Sequence, residues 1–320
     1  MLVDKPIQEL LRYTGRNPRP ADFDAYWERA VSEMKSLDPQ IKMTPSEFQF
    51  PNVECFDLYF TGVRNARIYA KLMKPAALTA PAPAVVFFHG YTGNNHDWMT
   101  SVAYAAAGFV TVYMDCRGQG GKSEDTGGHK INTFHGQIIR GLDNDTPDDL
   151  LFRHIMLDAA QLANIVMDMP EVDRTRVGVH GISQGGGLTL ACASLVPEIN
   201  RIAPVYPFLT DYQRVWEMDL AQGAYAELKD YFRRFDPRHE RQEEIFNRLG
   251  YIDVHNLAPR IKAKTLLFTG MMDTTCPPST QFAAFNAITA EKDYILYPDF
   301  AHETLPDMAD IVFKFMAEML

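Results

Sequence analysis

The chain has 320 residues, 46% hydrophobic and 22% charged, a balance that suits a large folded core and excludes a mainly disordered chain. A formal net charge of −10, with no Lys/Arg-rich run, argues against nucleic acid or anionic membrane as partners and favours a neutral or weakly charged substrate. Cys55, Cys116, Cys192 and Cys276 are scattered without a C-x-x-C pair, which excludes a disulfide framework and zinc-finger spacing.

The opening Met1-Leu2-Val3-Asp4-Lys5-Pro6 has no apolar h-region behind it. No apolar run approaches the roughly 20 residues of a membrane span. A soluble, cytoplasmic protein is therefore expected. Phe23, Trp27, Ala30, Val31 and Met34 recur at helical spacing after Pro20. Strand-like runs follow at Glu47–Phe50, Val53–Phe60 and Ala66–Met73, and these predict antiparallel strands at one end of a sheet.

From Ala84 the pattern changes to short apolar runs separated by helical stretches. The runs are Ala84–Phe88, Val110–Met114, Arg176–His180, Arg201–Tyr206, Thr265–Thr269 and Tyr294–Tyr297. Between them, Asp148–Met169 places Phe152, Ile155, Met156, Ala159, Leu162 and Val166 on one helix face. This alternation predicts an α/β fold: a mainly parallel central sheet with helices on both faces. Two stretches interrupt it, Gly118–Asp145 and the charged, helical Asp211–Leu257. Both read as insertions over the C-terminal edge of the sheet, the second as either a solvated cap or a lid. One domain over 1–320 is expected, with a helical and β lead-in at 1–80, an extension at about 118–145 and a helical insertion at about 211–257.

The chemistry begins at Gly181-Ile182-Ser183-Gln184-Gly185, between a strand-like run and a helix-like one, Leu188–Leu195. Strand, Gly-x-Ser-x-Gly and helix together make a nucleophile elbow, an α/β-hydrolase feature that presents Ser183 on a tight turn. A serine hydroxyl needs a base. Only His239, His255 and His302 follow it in the chain. His239 lies in a very charged run and His255 within the insertion, whereas His302 follows the last predicted strand. The acid expected to orient His302 is Asp273, just past Thr265–Thr269, with Asp299 and Asp253 as competitors. The oxyanion donors are expected to be the backbone N–H groups of Gln184 and of Tyr91, in the loop after Ala84–Phe88. Tyr91, Pro207 and Phe208 are expected to line a narrow acyl pocket. His89, His96, His129, His135 and His154 form no H-E-x-x-H or similar pattern, so neither a metal nor another cofactor is expected.

Arg117-Gly118-Gln119, Gly181-Ile182-Ser183-Gln184-Gly185 and His302-Glu303 together resemble the motifs of the acetyl xylan esterase/cephalosporin C deacetylase family, carbohydrate esterase family 7. Tyr206-Pro207-Phe208-Leu209 and Tyr251-Ile252-Asp253-Val254 are similar to that family as well, and the likeness runs over nearly the whole chain. The resemblance implies removal of acetyl groups from short xylo-oligosaccharides and cephalosporins without a metal. It implies a homohexamer whose sites face an internal cavity, with 118–145 at the interface. It also implies that Arg117 and Gln119 brace the loops of the site. Two other readings stay open: a small serine peptidase or aminopeptidase of the same fold, and a non-catalytic binding protein.

Overall fold

The computed structural model describes residues 3–128 and 137–320. Nine strands form one sheet: β1 (Lys42–Pro45), β2 (Val53–Thr61), β3 (Arg67–Pro75), β4 (Ala82–Phe88), β5 (Val110–Met114), β6 (Val172–Ile182), β7 (Arg201–Val205), β8 (Lys264–Gly270) and β9 (Lys292–Tyr297). Their order across the sheet is β1-β2-β3-β5-β4-β6-β7-β8-β9. β1, β2, β3 and β5 pair antiparallel, and the remaining pairings are parallel. The helices are α1 (Ile7–Leu10), α2 (Phe23–Ser36), α3 (Trp98–Ala106), α4 (Leu151–Met167), α5 (Gln184–Leu195), α6 (Tyr212–Glu217), α7 (Ala226–Phe235), α8 (Gln242–Leu249), α9 (Val254–Leu257), α10 (Pro278–Ala287) and α11 (Met308–Ala317).

The central strands β4, β5 and β7 are buried at every position, which is why they read as continuous apolar runs rather than as alternation. One face of the sheet is covered by α2, α4 and α5, which share a core with Leu58, Val86, Val112 and Val179. The other face is covered by α3 and α11, whose Tyr104, Val312, Phe315 and Met316 pack with Val85, Phe87 and Val205. α4 is buried almost all round, and Thr146 caps the 3-10 turn that leads into it, its Oγ1 accepting the Asp148 N–H at 3.2 Å.

One predicted strand is corrected. Glu47–Phe50 is irregular apart from an isolated bridge between Phe50 and Val53, and the edge strand is Lys42–Pro45, exposed at all four positions and so without an alternating signal. The Gln49 side chain takes the place of a ladder there. Its Oε1 accepts the Cys55 N–H at 3.1 Å and its Nε2 donates to the Cys55 carbonyl at 2.9 Å. Phe48 stacks on Trp98 instead of pointing from a strand. Residues 129–136, with His129, His135 and the centre of the 118–145 extension, lie outside the described residues. Among the described residues, no helix is long and apolar enough to cross a membrane.

Candidate active site

Ser183 is the single residue between the end of β6 and the start of α5. Its φ of 59° and ψ of −117° are sparsely populated for a non-glycine residue. Three backbone bonds hold it there. Its N–H donates to the Val205 carbonyl at 3.0 Å, and its carbonyl accepts the Gly187 and Phe208 N–H groups, each at 3.0 Å. The flanking glycines are required by close approach: a Cβ on Gly185 would sit 2.1 Å from the Phe88 carbonyl oxygen, and one on Gly181 2.4 Å from the Gly185 backbone.

Asp273 follows β8 in a turn that its own carboxylate organises. Oδ1 accepts the Thr275 and Cys276 N–H groups, both at 2.8 Å. Oδ2 lies 2.8 Å from His302 Nδ1, and His302 Nε2 lies 3.0 Å from Ser183 Oγ. Asp273 is fully buried, whereas the His302 side chain is 23% exposed and open to a proton-bearing partner. With Nδ1–H donated to Asp273, Nε2 holds the lone pair that accepts the serine hydroxyl. Glu303 closes the histidine's own loop, its Oε1 accepting the Ala301 N–H at 3.0 Å. Tyr206 supports the ring at 4.4 Å between centroids and donates to the Glu303 carbonyl at 3.1 Å.

The competing residues lie elsewhere. Asp299 and His239 are exposed. Asp253 pairs with His255 at 2.7 Å and accepts the Asp211 and Tyr212 N–H groups, forming a separate buried pair.

Tyr91 stands in the loop after β4, and Gln184 is the first residue of α5. Neither backbone N–H has an acceptor among the described residues, so both are free to receive one. Gln119 ties the two loops together. Its Oε1 accepts the Thr92 N–H at 2.9 Å, and its amide pairs reciprocally with that of Gln184 at 2.8 and 3.0 Å. Arg117 is fully buried and sits deeper. It forms a two-pronged pair with Asp158, both contacts at 2.6 Å, and donates to the Val63 carbonyl at 3.0 Å. Pro207 and Phe208 are buried, and the Phe208 ring lies between Tyr91 (5.3 Å) and Tyr225 (4.3 Å).

Glu227, on α7, escapes a reading of the sequence alone. It is buried, hydrogen-bonds the Tyr91 hydroxyl, and accepts the Gln137 and Ile139 N–H groups at 3.0 and 2.9 Å. Burial pushes its carboxyl up to about 6. Cys276 is the other missed neighbour, a buried thiol beside Ser183 and Asp273 whose burial holds it protonated. Asp273, Cys276 and His302 present potential ligand atoms within 4.8 Å of one another. Both His302 nitrogens are already engaged with Asp273 and Ser183, so the group reads as a hydrogen-bonded chain. Such a chain, beside free N–H donors at a helix start, has the parts that acyl transfer needs.

Comparison with known proteins agrees in scale. Residues 1–319 match the acetyl xylan esterase family. Acetyl xylan esterase 1 from Thermoanaerobacterium sp. JW/SL YS485 is 57% identical, with 99% of each chain covered and a TM-score of 0.97. The acetyl xylan esterase from Paenibacillus sp. R4 is 32% identical, covers 99% of this chain and 100% of its own, and has a TM-score of 0.93. Acetyl esterase Axe7A of Xylanibacter ruminicola is 28% identical over 304 residues, 92% of this chain, which spans only 66% of that relative's length. The chain belongs to the acetyl xylan esterase family, carboxylic ester hydrolases built on the α/β-hydrolase fold.

Proposed function

We propose that the protein is a serine esterase that removes acetyl groups from short acetylated xylo-oligosaccharides and from cephalosporin C through an acetyl-serine intermediate. The observation that carries this reading is the Ser183–His302–Asp273 chain, at 3.0 and 2.8 Å, in a member of an acetyl xylan esterase family. His302 takes the Ser183 proton as Oγ attacks the acetyl carbonyl. The Tyr91 and Gln184 N–H groups receive the oxyanion. His302 then protonates the departing alcohol, activates water, and the acetyl-enzyme is cleaved, with Asp273 ionised throughout. Arg117 and Gln119 act by bracing the loops.

Tyr91, Pro207 and Phe208 form the acyl wall in this reading, and a wall so closely packed favours acetate over longer acids. The reading includes a homohexamer with 118–145 at its interface, and a cytoplasmic location, which the four buried free cysteines support.

Four measurements test it. Hydrolysis of p-nitrophenyl acetate should far exceed that of the butyrate and octanoate esters; equal efficiency on all three refutes acetyl selection. A fluorophosphonate probe should label the wild type and not Ser183→Ala; labelling that persists refutes the nucleophile. A panel of acetylated xylo-oligosaccharides, acetylated monosaccharides and cephalosporin C then ranks the alcohols. Light scattering should give a particle six times the 36.3 kDa chain.

A further inference from the structure

Beside the turn that carries Ser183, on the α3/α11 face of the sheet, lies a cavity of about 240 Å³. Gly90, the residue before Tyr91, and Gly181-Ile182, the two residues before Ser183, form part of its wall. Gly90 and Ile182 are partly exposed, so the cavity meets solvent next to the candidate nucleophile. It is smaller than the roughly 300–1,000 Å³ of pockets for drug-sized ligands and suits a single ring.

The chemistry of its lining is narrow. No Asp, Glu, Lys or Arg side chain lines it. Phe87, Tyr104 and Tyr113 supply aromatic surface, with Phe87 stacked on Tyr113 at 5.4 Å and edge-on to Tyr104 at 5.1 Å. His180 is the distinctive residue. The residue is only 9% exposed, and its Nδ1 lies 2.7 Å from the Ala203 carbonyl, to which it donates. Burial depresses the imidazole to about 4, so the ring is neutral and Nε2 carries a lone pair. That Nε2 has no partner among the described residues, and neither do the hydroxyls of Ser101, Tyr104 and Tyr113 that share the lining. None of these four polar atoms is sealed off from the cavity space, so a ligand held there can pair them. An acceptor nitrogen, neutral hydroxyls and aromatic faces select an uncharged ring that bears hydroxyls. Charged compounds would meet no counter-charge there.

We propose that this cavity holds one uncharged, hydroxyl-bearing sugar ring, the alcohol portion of the ester whose acetyl group is presented to Ser183. The assignment of the ring to the ester rests on the esterase reading above. A ring hydroxyl donates to His180 Nε2, and the apolar face of the ring lies against the aromatic wall.

The test measures binding without turnover. Methyl β-D-xylopyranoside is titrated by calorimetry into Ser183→Ala protein, and into the same protein carrying His180→Phe or Ser101→Phe. The first added change removes the acceptor at nearly constant shape; the second fills the cavity from α3. Thermal unfolding shows which variants fold, and either one suffices. The expected result is binding to Ser183→Ala that weakens at least tenfold in the folded variants, with a shift of the His180 Nε2 nitrogen resonance on titration. Equal binding in a folded variant, a His180 resonance that does not move, or no binding by Ser183→Ala overturns the proposal. Fluorophosphonate labelling of the wild type reports separately on the esterase reading, so failure of one is distinguishable from failure of the other.

Discussion

Ser183 holds a backbone geometry that serine does not adopt unaided, and three backbone hydrogen bonds with two close glycine approaches impose it. Because the Gly185 clash is with a strand carbonyl, no side chain can swing away to relieve it. Gly185→Ala should therefore cost roughly 3 kcal/mol in urea unfolding and reduce turnover with it; a variant as stable as the wild type contradicts the elbow's tightness. Asp273→Asn isolates the electrostatic part. The asparagine oxygen can still accept the Thr275 and Cys276 N–H groups, so the turn survives. Its NH2 group then faces His302 Nδ1 and favours the tautomer that cannot take the serine proton. A loss of about 10⁴ in kcat is expected with the fold intact, and residual activity within tenfold of wild type would exclude Asp273 as the orienting acid. These three residues were legible because elbow spacing and the chain order Ser, acid, His are local signals. Tyr206 and Cys276 were not, because nothing in their neighbourhood tells that a loop nearly 100 residues later in one case, or a strand end more than 90 residues earlier in the other, folds against them.

Gln119 and Glu227 work between elements. Gln119 joins the loop after β5 to the loop after β4 and to the start of α5. Gln119→Leu removes those bonds at similar volume. If it positions the two N–H donors, kcat should fall about tenfold or more with KM little changed, since the donors act on charge formed in the transition state; a change confined to KM contradicts that role. Glu227 reaches from α7 to Tyr91 and to residues 137–139. Burial is the largest influence on it and raises its carboxyl from 4.5 to about 6, against hydrogen bonds that favour the ionised form. A raised value means that the stability it contributes is complete below 4.5 and is lost as pH rises through about 6. The shift corresponds to about 2 kcal/mol. Relative to Glu227→Gln, which does not titrate, the wild type should therefore lose about that much urea stability between about pH 4.5 and about pH 7.5. A pH-independent difference between the two refutes the linkage. In the sequence, α7 falls in a charged, helical insertion that reads as either a solvated cap or a lid, and Glu227 has no local mark. What buries it is a segment 88 to 90 residues earlier in the chain. The edge strand Lys42–Pro45 was hidden for the opposite reason: with both faces in water it has no buried face to set a period of two.

Across the whole molecule, the alternation of apolar runs and helices was enough to read a mainly parallel sheet, because strands buried on both faces leave continuous apolar stretches. The order in which those strands lie, with β5 between β3 and β4, depends on crossovers that no local pattern records. Arg117 shows what joins the antiparallel part to the rest. It follows β5, pairs with Asp158 on α4, and donates to Val63 just after β2, so one guanidinium links the sheet, a helix layer and the lead-in. Both side chains of the pair are sealed from solvent, at 0% and 1% exposure, and burial, with a smaller push from the Asp125 charge, holds the Asp158 carboxyl up against the pull of Arg117. Removing only the guanidinium strands a buried carboxylate, so Arg117→Ala should lose about 3–5 kcal/mol in urea unfolding. Replacing both partners by apolar residues of similar volume, Arg117→Met with Asp158→Leu, removes the stranded charge and should recover most of that loss. The double variant also separates bracing from chemistry. If Arg117 acts through the fold, recovered stability brings recovered hydrolysis of p-nitrophenyl acetate; if its charge serves the reaction, the double variant is stable and inactive. The guanidinium has both prongs on Asp158 and a third contact on Val63, with no exposed surface from which to reach a substrate, and this geometry predicts the first outcome.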